Sequence, residues 1–330
     1  MSVFVGIDIS AKKFDLVSRV DGRASRAKQF QQTSDGHARA VDALLLLQPK
    51  LIVLEATGIY YLDLAVALAH AGLPVAVINP KSFHNFAKLT LTGSKTDAVD
   101  AALLAEYGER MSPRLWTPPD PACLGLRDLG RQINRLTATR TQAKNRLHAL
   151  QSKSATMPLL LEDEQDGIDL LDQRIERLSK AALVLIAENP ALSESLANIR
   201  AAKGIGEASA IAILAELCVL PQHLKAPQVS RFAGLDVRIT QSGSSANKPS
   251  RLGKAGNTYL RAALFMPALC AVRHDPRAKH FYEALISRGK KKIQALCAVM
   301  RKYLTGLWAC IQTKTAFNST LLFSDEHLKG

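Results

Sequence analysis

The sequence predicts an α/β domain at the N-terminus followed by a mainly helical remainder. Three observations carry this. Short apolar runs alternate with helix-like segments over the first 110 residues. Ser112-Pro113 and Thr117-Pro118-Pro119 then break the chain. Beyond the break, long stretches run at helical period with few glycines or prolines.

Residues Val3–Ile9, Phe14–Val20 and about Ser25–Phe30 read as three consecutive strands, the last two joined by the hairpin signal Asp21-Gly22. Ser34–Leu47 reads as a helix with Ser34 as its cap. Leu51–Leu54 is a short apolar run, read as a buried strand. Tyr60–Ala71 is helical and closes at Gly72. Pro74–Ile78 gives a fifth strand, and a helix or two follow, ending with Thr96–Arg110. Three antiparallel strands, then helix, strand, helix, strand and helix is the element order of the RNase H-like fold.

Past the proline break, Pro121–Lys153 reads as one long helix with Arg127, Arg131 and Arg135 at intervals of four. Residues 120–153 hold seven basic and two acidic side chains, a net of +5. The sign then flips: residues 162–177 hold seven acids and two arginines, a net of −5, with an apolar stripe at Leu170, Leu171, Ile175 and Leu178. Opposite charge across the break at Met157-Pro158 predicts an antiparallel helical hairpin, a coiled-coil middle suited to dimerisation. Asn189-Pro190 breaks the chain again. Residues 225–302 hold sixteen basic and three acidic residues, a net of +13, with helices expected at about Tyr259–Val272, Pro276–Ser287 and Lys291–Gln312. The expected division is 1–118, 119–190 and 191–330.

The whole chain carries +14 over 330 residues, with an isoelectric point near 9.7. That charge asks for a polyanionic partner, nucleic acid or an anionic membrane. No apolar run approaches the ~18 residues of a spanning helix, and the N-terminus lacks the pattern of a signal peptide. Nucleic acid is the expected partner, in the cytoplasm and with the nucleoid. The five cysteines, at 123, 218, 270, 297 and 310, form no C-x-x-C pair, so neither zinc nor a disulfide framework is expected.

Four acids stand where this fold would gather them. Asp8 ends the first strand, Glu55 ends the fourth, and Asp97 and Asp100 lie one helical turn apart. Taken singly each has an ordinary explanation: a polar strand end, an acid before the turn at Thr57-Gly58, a capping box over 94–97, a first-turn acid on a helix dipole. Taken jointly they converge if the first and fourth strands are adjacent and parallel. Such a cluster favours Mg²⁺ or Mn²⁺, cations that seek carboxylate and phosphate oxygens. Two such ions can flank a scissile phosphodiester.

Ser242 lies in Gln241-Ser242-Gly243-Ser244-Ser245, inside the most basic part of the chain and followed by Lys248, Arg251 and Lys254. A hydroxyl there is a polar loop residue, a phosphate contact or a nucleophile towards phosphorus, and the residues alone leave the three open. Lys203-Gly204-Ile205-Gly206 before a helical run is a candidate phosphate-binding hairpin or a plain turn. Lys290, Lys291 and Lys292 form a basic loop, and with Arg127, Arg131, Arg135, Lys248, Arg251, Lys254 and Arg261 are the candidate nucleic-acid contacts. Aromatic residues are 5% of the chain, so base stacking is not expected as a major theme.

These motifs resemble the DEDD-type transposases of the insertion sequence 110 family, relatives of the RNA-guided bridge recombinases and the Piv-type DNA invertases. The marks are Gly6-Ile7-Asp8, Leu54-Glu55-Ala56-Thr57-Gly58-Ile59-Tyr60, Val77-Ile78-Asn79-Pro80, Lys95-Thr96-Asp97-Ala98-Val99-Asp100-Ala101, Phe232-Ala233-Gly234-Leu235, the Ser242 segment and Arg261–Ala268. The chain departs from the family at Lys203, where proline is usual, and at Leu235-Asp236-Val237, where Leu-Thr-Pro is usual. The resemblance implies a RuvC-like domain with Asp8, Glu55, Asp97 and Asp100 as catalytic and metal-holding acids, a coiled-coil insertion, and a C-terminal transposase domain with Ser242 as the nucleophile. Ser244 and Ser245 are the fallback. It implies donor and target DNA as substrates, a covalent serine–DNA link, a structured noncoding bridge RNA as guide, and a dimer or tetramer in which Ser242 serves its own or a neighbouring subunit. Two rivals stand beside it: a junction-resolving nuclease that uses water, and a non-catalytic DNA-binding protein. An actin-like sugar kinase, suggested by the opening Gly-Ile-Asp, lacks the expected Gly-Gly motif.

Overall fold

The computed structural model describes residues 2–90, 96–242, 246–253 and 255–323, with the backbone alone described for 238–242 and 246–251. The chain divides into two compact units, Met1–Pro118 and Pro119–Gly330.

In the first unit, strands β1 (Val3–Ile9), β2 (Lys13–Val20), β3 (Arg23–Ala24) and β4 (Lys28–Gln31) precede helix α1 (Ser34–Leu47). Then come β5 (Leu51–Glu55), α2 (Tyr61–His70), β6 (Val75–Ile78), α3 (Pro80–Leu89) and α4 (Asp97–Met111). The sheet order is β3-β2-β1-β5-β6, with β4 also on β2. β1 runs antiparallel to β2 and parallel to β5, and β5 is parallel to β6. This is the strand order of an RNase H-like fold, with the expected third strand split into β3 and β4. The split follows a one-residue shift of register against β2, where Arg19 pairs with Ala24 but Leu16 pairs with Lys28; the turn before β3 is the expected one, Asp21 and Gly22 both having positive φ, 47° and 79°. The α1 cap is Thr33 and not Ser34; its hydroxyl accepts from Gly36 N–H at 3.1 Å.

The sheet buries both faces. Val5, Ile7, Phe14, Leu16, Ile52 and Leu54 face α1 and α2, whereas Phe4, Val53, Ala76 and Ile78 face α3 and α4. Helix α4 lies tightly on β1 because of Gly6. A Cβ there would stand 2.0 Å from the Ala101 carbonyl oxygen and 2.3 Å from the Ala105 nitrogen. Ala101, Ala105 and Gly108 form the small-residue stripe that meets the sheet. At the far end Arg19 of β2 donates to Glu109 at 2.7 Å, fixing the helix across the sheet.

The second unit opens with the helices α5 (Pro121–Gln151) and α6 (Pro158–Ala187). They pair as an antiparallel hairpin through Arg146–Glu164 at 2.7 Å and through Arg140 and Lys144, both on Asp172. Three of the seven basic residues of 120–153 are therefore paired with the acidic helix beside them. Next come α7 (Pro190–Arg200), α8 (Glu207–Leu217) and α9 (Ala226–Phe232), then a strand pair, β7 (Val237–Ser242) and β8 (Ala246–Leu252). Helices α10 (Thr258–His274), α11 (Pro276–Ser287), α12 (Lys292–Thr313) and α13 (Ser319–Leu322) follow. Their core centres on Tyr303, Trp308 and Phe323. Residues 231–251, read from sequence only as poor in helix signals, contain this antiparallel strand pair. Among the described residues no helix is long and apolar enough to cross a membrane.

Candidate active site

Three elements bring the four acids together. Register places Ile7 beside Leu54, so the next residues, Asp8 and Glu55, stand side by side at the carboxyl ends of two parallel strands. Both fall on the face that α4 covers. Thr96 caps α4, its hydroxyl accepting from Val99 N–H at 3.3 Å, which makes Asp97 the first helical residue and Asp100 the fourth. The capping box expected over 94–97 is replaced by this cap; Ser94 and Lys95 lie outside the described residues. Close approach at Gly6 then sets the helix N-terminus over Asp8.

The electrostatics follow. Asp8 is pushed up from 3.8 to about 6, first by burial and then by repulsion from Asp100, Asp97 and Glu55; a hydrogen bond from Ile9 N–H opposes the rise. Glu55 accepts from the Thr57 hydroxyl at 2.6 Å. Asp97 is exposed and pairs with Lys13 of β2, Nζ to Oδ2 3.7 Å. Among the described residues no three Asp, Glu, His or Cys side chains are gathered closely enough to form a ready metal cage. The donor set is still all carboxylate, and Asp8 holds its charge at a cost that a cation would remove. Mg²⁺ commonly takes one or two carboxylates and completes its shell with water and substrate phosphates. Asp8 and Glu55, side by side at the strand ends, are the pair that would hold such a shared ion.

Sequence reasoning missed two neighbours. Asp15 is directly opposite Asp8 in the β1–β2 register, is 7% exposed, and accepts from Gln29 Nε2 at 3.2 Å. Lys13 is the cation on Asp97. The alternation Lys13-Phe14-Asp15-Leu16 carried the signal: Phe14 and Leu16 go to one core, so Lys13 and Asp15 go to the acid face.

In the second unit, Ser242 is the last residue of β7 and its backbone pairs with Ala246. Its side chain, like those of Lys248 and Arg251, lies outside the described atoms, and Ser244, Ser245 and Lys254 lie outside the described residues. Arg131 forks onto buried Glu216 at 2.6 and 2.9 Å, lies over the Tyr259 ring at 5.1 Å, and shares Glu216 with Asn257. The structure thus gives Arg131 an internal partner that ties α5 to α8 and α10. Arg127 is half-buried, with a buried Nε that makes no hydrogen bond, and Arg135 is exposed. Arg261 donates to the Ala233 carbonyl at 2.8 Å. Lys290, Lys291 and Lys292 are exposed in and after the α11–α12 turn. Residues 201–206 join α7 to α8, and Gly204, at φ 91°, packs against Pro267 of α10.

Comparison with known proteins fits this layout. Residues 5–153 match the DEDD family of IS110, described as transposase, and residues 196–283 match the family described as transposase IS116/IS110/IS902. The chain is 30% identical over 273 residues to the pilin gene-inverting protein of Moraxella bovis, covering 82% of each. It is 25% identical over 275 residues to the transposase for insertion sequence element IS1111A of Coxiella burnetii, covering 74% of this chain and 73% of that one. A Thermus thermophilus RuvC in complex with a Holliday junction substrate aligns at 16% identity and a TM-score of 0.27, over 35% of this chain and 99% of that chain. That likeness is too slight to carry weight, and the fold rests on strand order.

Proposed function

Since the chain belongs to the insertion sequence 110 family of transposases, we propose that it cuts and rejoins donor and target DNA with Asp8, Glu55, Asp97 and Asp100 as a metal-holding site and Ser242 as nucleophile. The observation that carries this reading is the parallel register that sets Asp8 beside Glu55 under the start of α4, where Asp8 is raised to about 6 first by burial and then by Asp100, Asp97 and Glu55. A half-buried carboxyl raised by its neighbours at strand ends is the arrangement that a bound cation would relieve.

Mg²⁺ or Mn²⁺ bound there would neutralise the carboxylates and withdraw charge from the scissile phosphate. The protein's own groups do the rest. Asp8 and Glu55 are fixed by parallel strand ends, Thr57 orients Glu55, and α4 brings Asp97 and Asp100. Ser242 Oγ attacks phosphorus: the Oγ–P bond forms, the bond from phosphorus to the sugar oxygen breaks, and that oxygen leaves as a hydroxyl with the proton the serine gives up. Attack by the partner strand's hydroxyl reverses the exchange and frees the serine. The phosphodiester is conserved, so rejoining needs no outside energy.

The functional division follows as 1–118 for the acids, 119–190 for a coiled-coil dimerisation hairpin, and 191–330 for the serine and the cationic contacts. Two duplexes must be exchanged, which calls for a dimer or tetramer, with Ser242 working in its own subunit or a neighbour's. The +13 over 225–302 suits phosphates, which position a duplex without reading it. Sequence would then be read by a structured bridge RNA through base pairing, in the cytoplasm and at the nucleoid.

Two experiments test this. Reactions run with and without EDTA are resolved on a denaturing gel: wild type should give a covalent protein–DNA band only with metal, and Ser242→Ala none. A Ser242→Ala protein that still cuts assigns the nucleophile to water, and wild-type cutting in excess EDTA removes the metal. Recombination of two DNA partners should require the element's noncoding RNA; site-specific recombination by RNase-treated protein refutes guidance.

A further inference from the structure

We propose that Ile59 and Tyr60 form a base-contacting edge of the acidic site: they receive a nucleobase of the substrate DNA that has left its stack beside the phosphate to be cut. The proposal rests on the assignment of DNA cutting to Asp8, Glu55, Asp97 and Asp100.

The loop that carries these residues starts at the site itself. β5 ends at Glu55, and residues 56–60 lead into α2. Their backbone is held at three points. The Thr57 hydroxyl donates to Glu55 Oε1 at 2.6 Å. Gly58 takes φ 60°, a left-handed conformation that glycine adopts at least cost. Gln32 Nε2, just after β4, donates to the Tyr60 carbonyl at 2.5 Å. The Tyr60 ring folds back over Gly58, its Cδ2 3.7 Å from where a Cβ would stand. A chain of contacts therefore runs from the Glu55 carboxylate through Thr57 and Gly58 to the aromatic ring.

The side chains do the opposite of the backbone and face water. Ile59 is 75% exposed and Tyr60 45%, directly after a strand whose first four residues are all buried. A single exposed apolar residue needs no explanation. Here two stand together within five positions of a site acid, on a loop whose backbone is pinned and whose tyrosine makes no cap hydrogen bond to the helix it begins. Packing does not account for them, and DNA chemistry does. A phosphodiester inside a stacked duplex is poorly placed for a cleft floored by strand ends. Proteins that open the stack use an aliphatic wedge to part a base step and an aromatic face to hold the base released. Ile59 has the shape of the wedge and Tyr60 the face. Such an edge is tolerant of base identity, because every base has a π face, which fits a chain whose basic 225–302 segment suits phosphates.

The test uses full-length Asp8→Asn protein, so that bound DNA is not cut, and a forked duplex with 5-iododeoxyuridine at the first unpaired position. After irradiation, the cross-linked peptide is mapped by mass spectrometry. The expected adduct lies on Tyr60, is kept by adding Tyr60→Phe, and falls about tenfold on adding Tyr60→Ala at protein concentrations at which anisotropy shows the fork saturated by each variant. Cross-links that map only outside residues 56–62, or a Tyr60→Ala yield equal to its parent, overturn the proposal. If Tyr60→Ala does not fold, the adduct position and the Tyr60→Phe yield decide. Metal-dependent cutting of the same fork by wild type and Glu55→Gln is measured in parallel: cutting by Glu55→Gln at the wild-type rate overturns the acid assignment on its own, whatever the cross-link shows.

Discussion

Replacing Asp8 by Asn should make the metal-free protein more stable while abolishing its chemistry. The structure sets the size of the effect. Asp8 rises from 3.8 to about 6 by burial and by Asp100, Asp97 and Glu55. A rise of that size corresponds to roughly 3 kcal/mol of preference for the neutral carboxyl. Water over a side chain that is only half-buried screens part of this, leaving about 1–2 kcal/mol. Asn keeps the shape and can still accept from Ile9 N–H, but carries no charge. At pH 7.5, without metal, Asp8→Asn should therefore raise the melting temperature of the first unit by about 3–8 °C.

The pH dependence gives the sign. A carboxyl whose folded value lies above its unfolded one binds more protons in the folded state. The wild type is thus favoured at low pH and loses stability as pH rises from about 4 through about 6. The gap between variant and wild type should vanish near pH 4 and be complete above pH 7. Mg²⁺ at about a hundredfold its dissociation constant should add about 2.7 kcal/mol to wild type and little to the variant, reversing their order. Calorimetry across pH with EDTA or Mg²⁺ reads all three effects. An Asn variant that melts below wild type at pH 7.5 in EDTA, or a gap unchanged at pH 4, refutes the electrostatic reasoning.

The remaining predictions concern packing and charge. Gly6→Ala puts a Cβ 2.0 Å from the Ala101 carbonyl oxygen, so α4 must shift; the loss in urea titration should be about 3 kcal/mol or more. Gly22→Ala has open space around it but φ 79°, and should cost only about 1–2 kcal/mol. Glu216→Leu strands Arg131 and Asn257 against a buried position and should cost about 3–5 kcal/mol, with Arg131→Met in the same chain recovering most of it. Full loss in that double variant shows that the network was not electrostatic in origin.

The fold of the first unit was legible because its signals are local. Alternation marks β1 and β2, and Asp21-Gly22 marks the turn from β2 to β3, whereas the cap of α4 is Thr96 and not the Ser94 that the capping-box pattern offered. Adjacency of Asp8 and Glu55 followed once β1 and β5 were read as parallel neighbours, because strand ends at matched register must meet. What depends on partners far along the chain stayed hidden. Arg131 reads as a member of a basic stripe, and its partner Glu216 is 85 residues away with no periodic link to it. Glu216 itself sits in an apolar helix, where a lone buried acid signals a distant cation, but helical period cannot say which one. The same limit explains Arg140, Lys144 and Arg146: the flip of charge between 120–153 and 162–177 predicts a hairpin, and the hairpin then consumes the cations that the charge count had offered to nucleic acid. Net charge is a property of a segment, whereas availability is a property of pairing. The cations most open to phosphate are therefore those with no acidic helix alongside, such as exposed Lys290, Lys291 and Lys292, and salt-dependent DNA binding should weaken more on their loss than on loss of Arg131 or Arg140.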